Sequence, residues 1–300
     1  MGLLSCQKTF RSNINNPLNP GNPTEQKAKY QYDKEKSCYA QGIVGGKNVD
    51  DINILKNHLV LVVSTFIEDN VQKDNICTGT LISSNKVLTA AHCFDKANIE
   101  SVSIFTTLNL YCSSGFNKNL IYSVNNIDIH PNYSSAANPS TLTPSYDLAI
   151  IEFTGILPAN YSPLKVNETP ISEISQNSDK SLIIAGYGKT ATNEQDSLPE
   201  LRYAEKEKSA LILETSAQQS GSKVNLPHDF SLIGIDRKSS SGVCYGDSGG
   251  PLLSNTSEGL SIIGVASFIN APKDNPKACE NYNFYYTYTL NYLDWIKSHL

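Results

Sequence analysis

The chain has 300 residues, of which 39% are hydrophobic and 18% charged, and its formal net charge is -5. This length allows one large all-β unit or two ordinary domains with a sizeable buried core. The mild negative charge argues against a nucleic-acid-binding protein, which needs a basic excess or stripe. The longest apolar stretch near the start of the globular part, residues 59–63, has the length of a strand, so no membrane span is predicted.

The first 42 residues differ in composition from the rest of the chain. Residues 13–23 are dominated by Asn and Pro, and a charged stretch follows as far as Lys36. Such a segment buries too little apolar surface to order itself. We therefore predict that residues 1–42 are disordered and form a flexible linker or a pro-segment.

From Ile43 onward, short β-rich runs alternate with clusters of Gly, Asn, Pro and Ser. Strands are predicted over residues 58–67, 79–82, 86–90, 101–105, 147–153, 181–185, 250–253 and 260–268. Many short strands at regular spacing are typical of sandwiches and barrels. The apolar stripe Tyr292, Leu293, Ile296 and Leu300 predicts one short amphipathic helix at the end.

Three short motifs carry residue types that catalyse hydrolysis: TAAHC with His92, YDLAII with Asp147, and GDSGGP with Ser248. Taken singly, they can be explained as a structural histidine, a turn entering a strand and a glycine-rich turn. In the order His, Asp, Ser they resemble the trypsin/chymotrypsin family of serine peptidases. The resemblance runs from Ile43 to about Leu300 and includes IVGG at 43–46, CTGTLI at 77–82, HPNY at 130–133, GYG at 186–188 and YLDWI at 292–296.

The resemblance implies an all-β fold of two packed antiparallel Greek-key barrels with six strands each and a C-terminal helix. We expect one peptidase domain over residues 43–300. Its first barrel would cover residues 43–165, its second barrel 166–290 and its helix 291–300. The catalytic residues would then lie in the cleft between the barrels.

The resemblance also implies a serine endopeptidase that works through an acyl-enzyme. A serine hydroxyl needs a base within hydrogen-bond reach, so Ser248 would be the nucleophile and His92 its base. Asp147 would fix the tautomer of His92, and Ser267 would support Asp147. The backbone N–H groups of Gly246 and Ser248 would bind the developing oxyanion.

Asp247 is not needed for the triad. In the family, this carboxylate pairs with a newly freed N-terminal amine, and Ile43 at the head of IVGG is the matching residue. Cleavage between Gly42 and Ile43 would therefore convert a zymogen to the active enzyme. The alternative interpretation of residues 43–46 is a strand start followed by a turn.

The chain has seven cysteines, and no two of them form a CxxC pair. This argues against a zinc ribbon or a thioredoxin-like motif and favours a secreted, cell-surface or periplasmic chain with disulfides. The family resemblance implies two bridges, Cys77–Cys93 and Cys244–Cys279.

By elimination, Cys38 would pair with Cys112. This bridge would keep the pro-segment attached after activation and leave Cys6 alone. The LLSC sequence that ends at Cys6 is similar to a bacterial lipobox, whose cysteine is acylated. However, no charged region and no full apolar region precede it. A lipid anchor at Cys6 and a chance match both stay open.

The specificity pocket is assigned by position in the family pattern. Its floor falls on Gly242, six residues before the nucleophile, and its wall follows Ser267. Family members with deep pockets have glycine at two positions of this wall. In this chain those positions are Ile269 and Phe284. An uncharged floor with two apolar obstructions predicts a preference for small uncharged residues before the scissile bond. Alternatives are that Phe284 turns aside for a medium aliphatic residue, or that the alignment slips near Cys279.

The implied partners are protein or peptide substrates, an activating protease and proteinaceous inhibitors, and the chain is expected to be a monomer. No cofactor is expected. The family's calcium loop offers carboxylates shortly after the histidine, whereas residues 101–127 contain no Asp or Glu, so no metal site is predicted. The competing function is a catalytically silent binding module, which usually lacks a triad or oxyanion residue. An esterase with a G-x-S-x-G elbow and the order Ser, Asp, His does not match.

Overall fold

The computed structural model describes residues 42–50, 53–108, 120–135, 146–176, 181–193, 199–212, 232–237, 241–257, 259–272 and 274–300. It also describes the backbone of four short strands at 3–5, 10–11, 217–219 and 222–224. The predicted pairing of Cys38 with Cys112 and the predicted lipidation of Cys6 lie outside the described residues. Two of the short strands, β1 (Leu3–Ser5) and β2 (Phe10–Arg11), fall within the segment predicted to be disordered.

The first sheet closes into a barrel. Its strands, besides β2, are β4 (Leu59–Glu68), β5 (Val71–Leu81), β6 (Lys86–Thr89), β7 (Ile99–Phe105), β8 (Ile121–Ile129) and β9 (Ala149–Phe153). The order is β2-β5-β4-β7-β8-β9-β6, all antiparallel, and the pairing of β5 with β6 closes a ring of six strands. Asp69 and Asn70 join β4 to β5 with φ of 54° and 57°, the left-handed conformation that a two-residue hairpin turn requires.

The second sheet has ten strands. They are β1, β3 (Lys47–Asn48), β10 (Lys165–Val166), β11 (Ser181–Gly186), β12 (Arg202–Lys206), β13 (Leu211–Ile212), β16 (Leu232–Ile235), β17 (Pro251–Thr256), β18 (Gly259–Pro272) and β19 (Phe284–Tyr288). The main order is β13-β16-β19-β18-β17-β11-β12-β3, and β1 and β10 pair with β18. A separate hairpin consists of β14 (Ala217–Gln219) and β15 (Ser222–Val224).

Helices are short. They are α1 (Ile171–Gln176), α2 (Ala278–Asn281) and α3 (Leu293–Lys297), with 3-10 turns at Ile54–Asn57, Ala91–Phe94, Lys208–Ala210 and Thr289–Tyr292. The C-terminal helix packs against the first barrel, where the Trp295 and His130 rings lie 4.9 Å apart. Among the described residues, no helix has the length and apolarity to cross a membrane.

The predicted fold class is confirmed: the chain is mostly β, with a closed six-stranded barrel, a second sheet and a short C-terminal helix. The second sheet exceeds the expected six strands because β1, β3, β10 and β13 add to it. Residues at the start of the predicted first-barrel range also join the second sheet. Val44 pairs with Gly242, and β3 pairs with β12. The boundaries at residues 165 and 290 stay predictions.

Candidate active site

His92 and Asp147 are adjacent because of strand pairing in the first barrel. β6 and β9 run antiparallel with Thr89 opposite Ala149. The chain leaves β6 into the 3-10 turn Ala91–Phe94, which carries His92, and it enters β9 two residues after Asp147. Both side chains are therefore held at the same end of the pair, and both are buried.

The carboxylate of Asp147 is hydrogen-bonded through both oxygens. The Nδ1 atom of His92 lies 2.7 Å from Oδ2, and the backbone N–H of His92 donates to Oδ1 at 2.9 Å. The hydroxyl of Ser267 donates to Oδ2 at 2.5 Å. Because Nδ1 faces a carboxylate, the neutral His92 ring carries its proton on Nδ1. Nε2 is then unprotonated and can accept a proton, as a general base must.

The pKa values of this pair follow from burial and from mutual attraction. Burial disfavours the carboxylate of Asp147, but the charge of His92 and the hydrogen bonds from His92 and Ser267 outweigh it and lower the pKa of Asp147. Burial also disfavours the imidazolium of His92, yet the charge and hydrogen bond of Asp147 raise its pKa. The site therefore stabilises a proton on His92.

Ser248 lies in a tight loop between β16 and β17 that packs directly on the first barrel. Gly246 and Gly249 have φ of 100° and 79°, which favour glycine. A Cβ at Gly249 would lie 2.0 Å from Oγ1 of Thr89 at the end of β6. Thr78 donates its N–H to the carbonyl of Ser248 at 2.8 Å. The loop is thereby fixed against the strand that leads to His92.

The hydroxyl of Ser248 is buried and makes no hydrogen bond within the part of the chain that the structure describes. A nucleophile and its base are often too far apart for a good hydrogen bond when no substrate is bound. The structure thus brings His92, Asp147, Ser267 and the Ser248 loop together, and their catalytic roles stay predictions.

Asp247 is completely buried and holds several backbone segments. Its carboxylate accepts N–H groups from Gly188 at 2.7 Å and Cys244 at 2.8 Å, and also the N–H of Ile43. Burial raises its pKa to about 7. A Cβ at Gly186 or Gly188 would lie 2.2 or 2.5 Å from the carboxylate atoms. The GYG motif at 186–188 therefore makes room for this side chain.

Ile43 is inserted beside Asp247 while it is still joined to Gly42. Its side chain is fully buried, and the next residue, Val44, exchanges backbone hydrogen bonds of 2.8 and 3.0 Å with Gly242. Ile43 has φ of 25°, which is a strained conformation for a β-branched residue. A Cβ at Gly42 would lie 2.4 Å from the carbonyl oxygen of Glu200, so this peptide is tightly enclosed.

A model of the Trypsin family matches residues 43–296. This chain belongs to that family. Chymotrypsin-like elastase family member 1 of Homo sapiens is 30% identical over 230 residues, 74% of this chain and 80% of that protein. Its counterpart in Macaca fascicularis is 30% identical over 201 residues, 65% of this chain and 68% of that protein. Fibrinolytic enzyme, isozyme C, of Lumbricus rubellus is 25% identical over 225 residues, 73% and 86% of the two chains.

The predicted pocket residues of this trypsin-family chain lie together in the second sheet. Ile269 and Phe284 face each other on β18 and β19, and both are buried. A Cβ at Gly242 would lie 2.8 Å from the Phe284 ring and 3.1 Å from Cδ of Arg237. Phe284 therefore packs directly over the predicted floor.

Two buried cations beside the predicted floor do not follow from any trypsin-family motif. Lys206 donates to the carbonyl of Ser241, and its Nζ lies 5.7 Å from the centre of the Phe284 ring. Burial and the charge of Arg237 lower the pKa of Lys206 to about 8. The alternation of side chains along β12 predicts that Lys206 is buried, because it lies on the same face as the buried Ala204. No such pattern predicts the burial of Arg237.

Both disulfides implied by the trypsin-family resemblance are present, Cys77–Cys93 and Cys244–Cys279. The ring of His92 and the sulfurs of Cys77 and Cys93 lie within 4.8 Å of one another. Since both sulfurs are bonded to each other, neither offers the thiolate that a metal requires. This cluster stabilises the turn that carries His92 instead of holding an ion.

Proposed function

We propose that this trypsin-family chain is a serine endopeptidase with Ser248 as nucleophile. The observation that carries the proposal is that Ser267 and His92 both donate hydrogen bonds to Asp147, on the barrel against which the Ser248 loop packs. An ordinary structural role would not need a buried serine hydroxyl without a hydrogen bond among the described residues, on a loop packed against the barrel whose histidine has a raised pKa.

The proposed reaction proceeds through an acyl-enzyme. The Oγ atom of Ser248 attacks the carbonyl carbon of the scissile peptide while its proton passes to Nε2 of His92. The N–H groups of Gly246 and Ser248 stabilise the oxyanion of the tetrahedral intermediate. His92 then protonates the leaving amine, and the C–N bond breaks. Water then attacks the ester carbon while His92 takes its proton, the acyl C–Oγ bond breaks, and His92 returns the proton to Oγ of Ser248. Asp147 stabilises the imidazolium in both halves.

Activation by cleavage between Gly42 and Ile43 is part of the proposal. The strained φ of Ile43 costs on the order of 1–3 kcal/mol, and this dihedral no longer exists once the Gly42–Ile43 bond is cut. The new ammonium of Ile43 would form where its N–H now contacts Asp247. Both effects favour the cleaved form, in which a cation neutralises the buried carboxylate.

We propose a preference for small uncharged residues before the scissile bond. Phe284 and Ile269 are buried side by side, and Phe284 packs onto Gly242 where a deep pocket would open. Lys206 lies beside that ring, and a buried cation disfavours a basic substrate side chain. The similarity to chymotrypsin-like elastase family members agrees with this preference.

The two disulfides support a location outside the reducing cytosol. We propose a secreted or cell-surface zymogen that acts as a monomer on protein or peptide substrates. An activating protease and proteinaceous inhibitors would be its other partners, and an anchor at Cys6 would be its membrane attachment. The alternative, a silent binding module, is not favoured because the triad residues and the oxyanion-loop residue Gly246 are all present.

The test is cleavage of a diverse peptide library by the full chain, before and after processing to an Ile43 N-terminus that sequencing verifies. Products are identified by mass spectrometry, with Ser248→Ala as the inactive variant. Ser254→Ala is the matched control, because it removes another buried serine hydroxyl. Cuts after Ala, Val or Ser support both chemistry and pocket. Cuts after Arg or Lys contradict the pocket alone, and a folded, processed chain without any cuts contradicts the enzyme.

A further inference from the structure

Two short strands from the N-terminal segment pair with the catalytic domain, one with each of its two main sheets. β1 runs antiparallel to β18, with Ser5 opposite Phe268 and Leu3 opposite Pro272. β2 runs antiparallel to β5 in the first barrel, with Phe10 opposite Asp74. One contact is therefore made with each sheet.

Among the residues that the structure describes, no other strand occupies the two sheet edges that these pairings use. On the β1 side of β18, β17 pairs only as far as Val265, while β19 occupies the other side. On the β2 side of β5, β6 pairs only at Thr80 and Leu81, while β4 occupies the other side. An open edge offers a row of backbone N–H and C=O groups to any extended peptide.

These two edges lead directly to the triad. Phe268 on β18 follows Ser267, whose hydroxyl holds Asp147. On β5, the chain runs from Asp74 to Thr78, whose N–H binds the carbonyl of Ser248. Each edge therefore continues into a residue that contacts the triad or the Ser248 loop.

The short separation of β1 and β2 along the chain limits the distance between their two pairing sites. Ser5 and Phe10 are five residues apart, and five extended residues span at most about 17 Å. The two pairings must therefore lie within that distance of each other, although one belongs to the first barrel and the other to the second sheet. Both strands also run antiparallel to their partners, as one continuous extended peptide would.

We propose that the N-terminal segment of this chain binds in its own active-site cleft along the edges of β18 and β5, and competes there with substrate. The inference rests on the proposed peptidase function and adds a regulator of the same site. Recognition through backbone groups needs no sequence match between the segment and a substrate. A segment tethered to the domain acts at an effective concentration of roughly millimolar, so even weak pairing excludes substrate.

The test replaces Ser5 and Phe10 together by proline in the full chain. Proline lacks an N–H and fixes φ near -65°, so neither strand can pair as before. Thr24→Pro, in the same segment but outside both strands, is the matched control. A chain without residues 1–12 is the second variant, in case the proline pair disturbs folding.

The binding readout uses chains that also carry Ser248→Ala, and a fluorescent peptide with the sequence of residues 1–12. We expect the peptide to bind the proline and truncated variants at least 10-fold more tightly than the parent and the Thr24→Pro control, because the cleft is open. Equal affinity for all four chains would overturn the inference.

The kinetic readout uses the same variants with Ser248 intact, processed at Ile43 under non-reducing conditions. Mass spectrometry verifies that the predicted Cys38–Cys112 bridge still holds the N-terminal segment on the domain. Competition predicts at least a 5-fold lower KM with an unchanged kcat for the proline and truncated variants. Altered peptide binding without turnover in any chain would reject the proposed function and leave the inference standing. Turnover with the same KM in every chain would reject the inference and leave the peptidase.

Discussion

The intact chain should lose stability with rising pH through one carboxyl group, Asp247. This side chain is fully buried, and it accepts N–H groups of Gly188, Cys244 and Ile43. Arg202 lowers the pKa from a distance, and burial is the largest influence. The net result is a pKa raised from 3.8 to about 7 in the folded chain.

The sign and size follow from proton linkage. Between pH 4 and pH 7 the folded chain holds a proton at Asp247 that the unfolded chain has lost, so the free energy of unfolding falls as pH rises. A difference of about three pKa units corresponds to roughly 4 kcal/mol. The stabilisation is fully present below the unfolded pKa, decreases by about 1.4 kcal/mol per pH unit, and is lost above pH 7.

The assay is urea unfolding of the uncleaved chain from pH 4 to pH 8. Ser248→Ala prevents self-digestion, and the comparison is the same chain with Asp247→Asn, which cannot titrate there. The parent should lose roughly 4 kcal/mol relative to the Asn variant across this range. A difference that stays flat, or grows in favour of Asp247 with pH, would refute this reasoning, because it would mean that the carboxylate is already compensated.

Three further changes have expected outcomes. Ser267→Ala removes the 2.5 Å hydrogen bond to Asp147, and a bond to a charged group is worth about 1.5–3 kcal/mol, so kcat/KM should fall about 10-fold or more; an unchanged kcat/KM would contradict a supporting role for Ser267. Phe284→Gly should open the pocket to Leu and Phe in a peptide library and destabilise the fold by about 3–5 kcal/mol in urea unfolding; an unchanged preference would contradict its role. Replacing Cys77 and Cys93 by Ser should cost about 3 kcal/mol, and a smaller loss than 1 kcal/mol would contradict a structural role for that bridge.

The sequence was most informative where chemistry restricts residue types. The order of the His92, Asp147 and Ser248 motifs predicted a barrel fold and the contacts of Asp147 with His92 and Ser267, and the structure has both. The GYG motif at 186–188 could be matched by pattern alone, but its reason is steric, since its glycines leave space for the Asp247 side chain.

Strands with one solvent-exposed face were harder to predict from the sequence. Most of β5 was missed because its first residues, including Lys73 and Asp74, are polar and partly exposed before the strand enters the core at Ile76 and Cys77. β1 and β2 were missed for another reason. Backbone groups on open edges hold them, and an Asn- and Pro-rich composition gives no sign of such pairing. Lys206 and Arg237 beside the pocket belong to no motif, and only folding brings them to Phe284 and Gly242.

The carboxyl group of Asp247 also links the stability of the intact chain to the proposed activation. The Gly42–Ile43 peptide is enclosed, with the Glu200 and Gly186 carbonyls close to Gly42, so a protease can reach it only after the segment opens. Opening also exposes Asp247 to water, where its carboxyl group ionises more readily. The free energy of opening therefore decreases as pH rises towards 7. Cleavage at Ile43 by an added protease should therefore quicken from pH 5 to pH 8, after correction for the protease's own pH dependence on an unfolded peptide. Asp247→Asn should remove this increase, and an increase that persists in that variant would show that another group controls the opening.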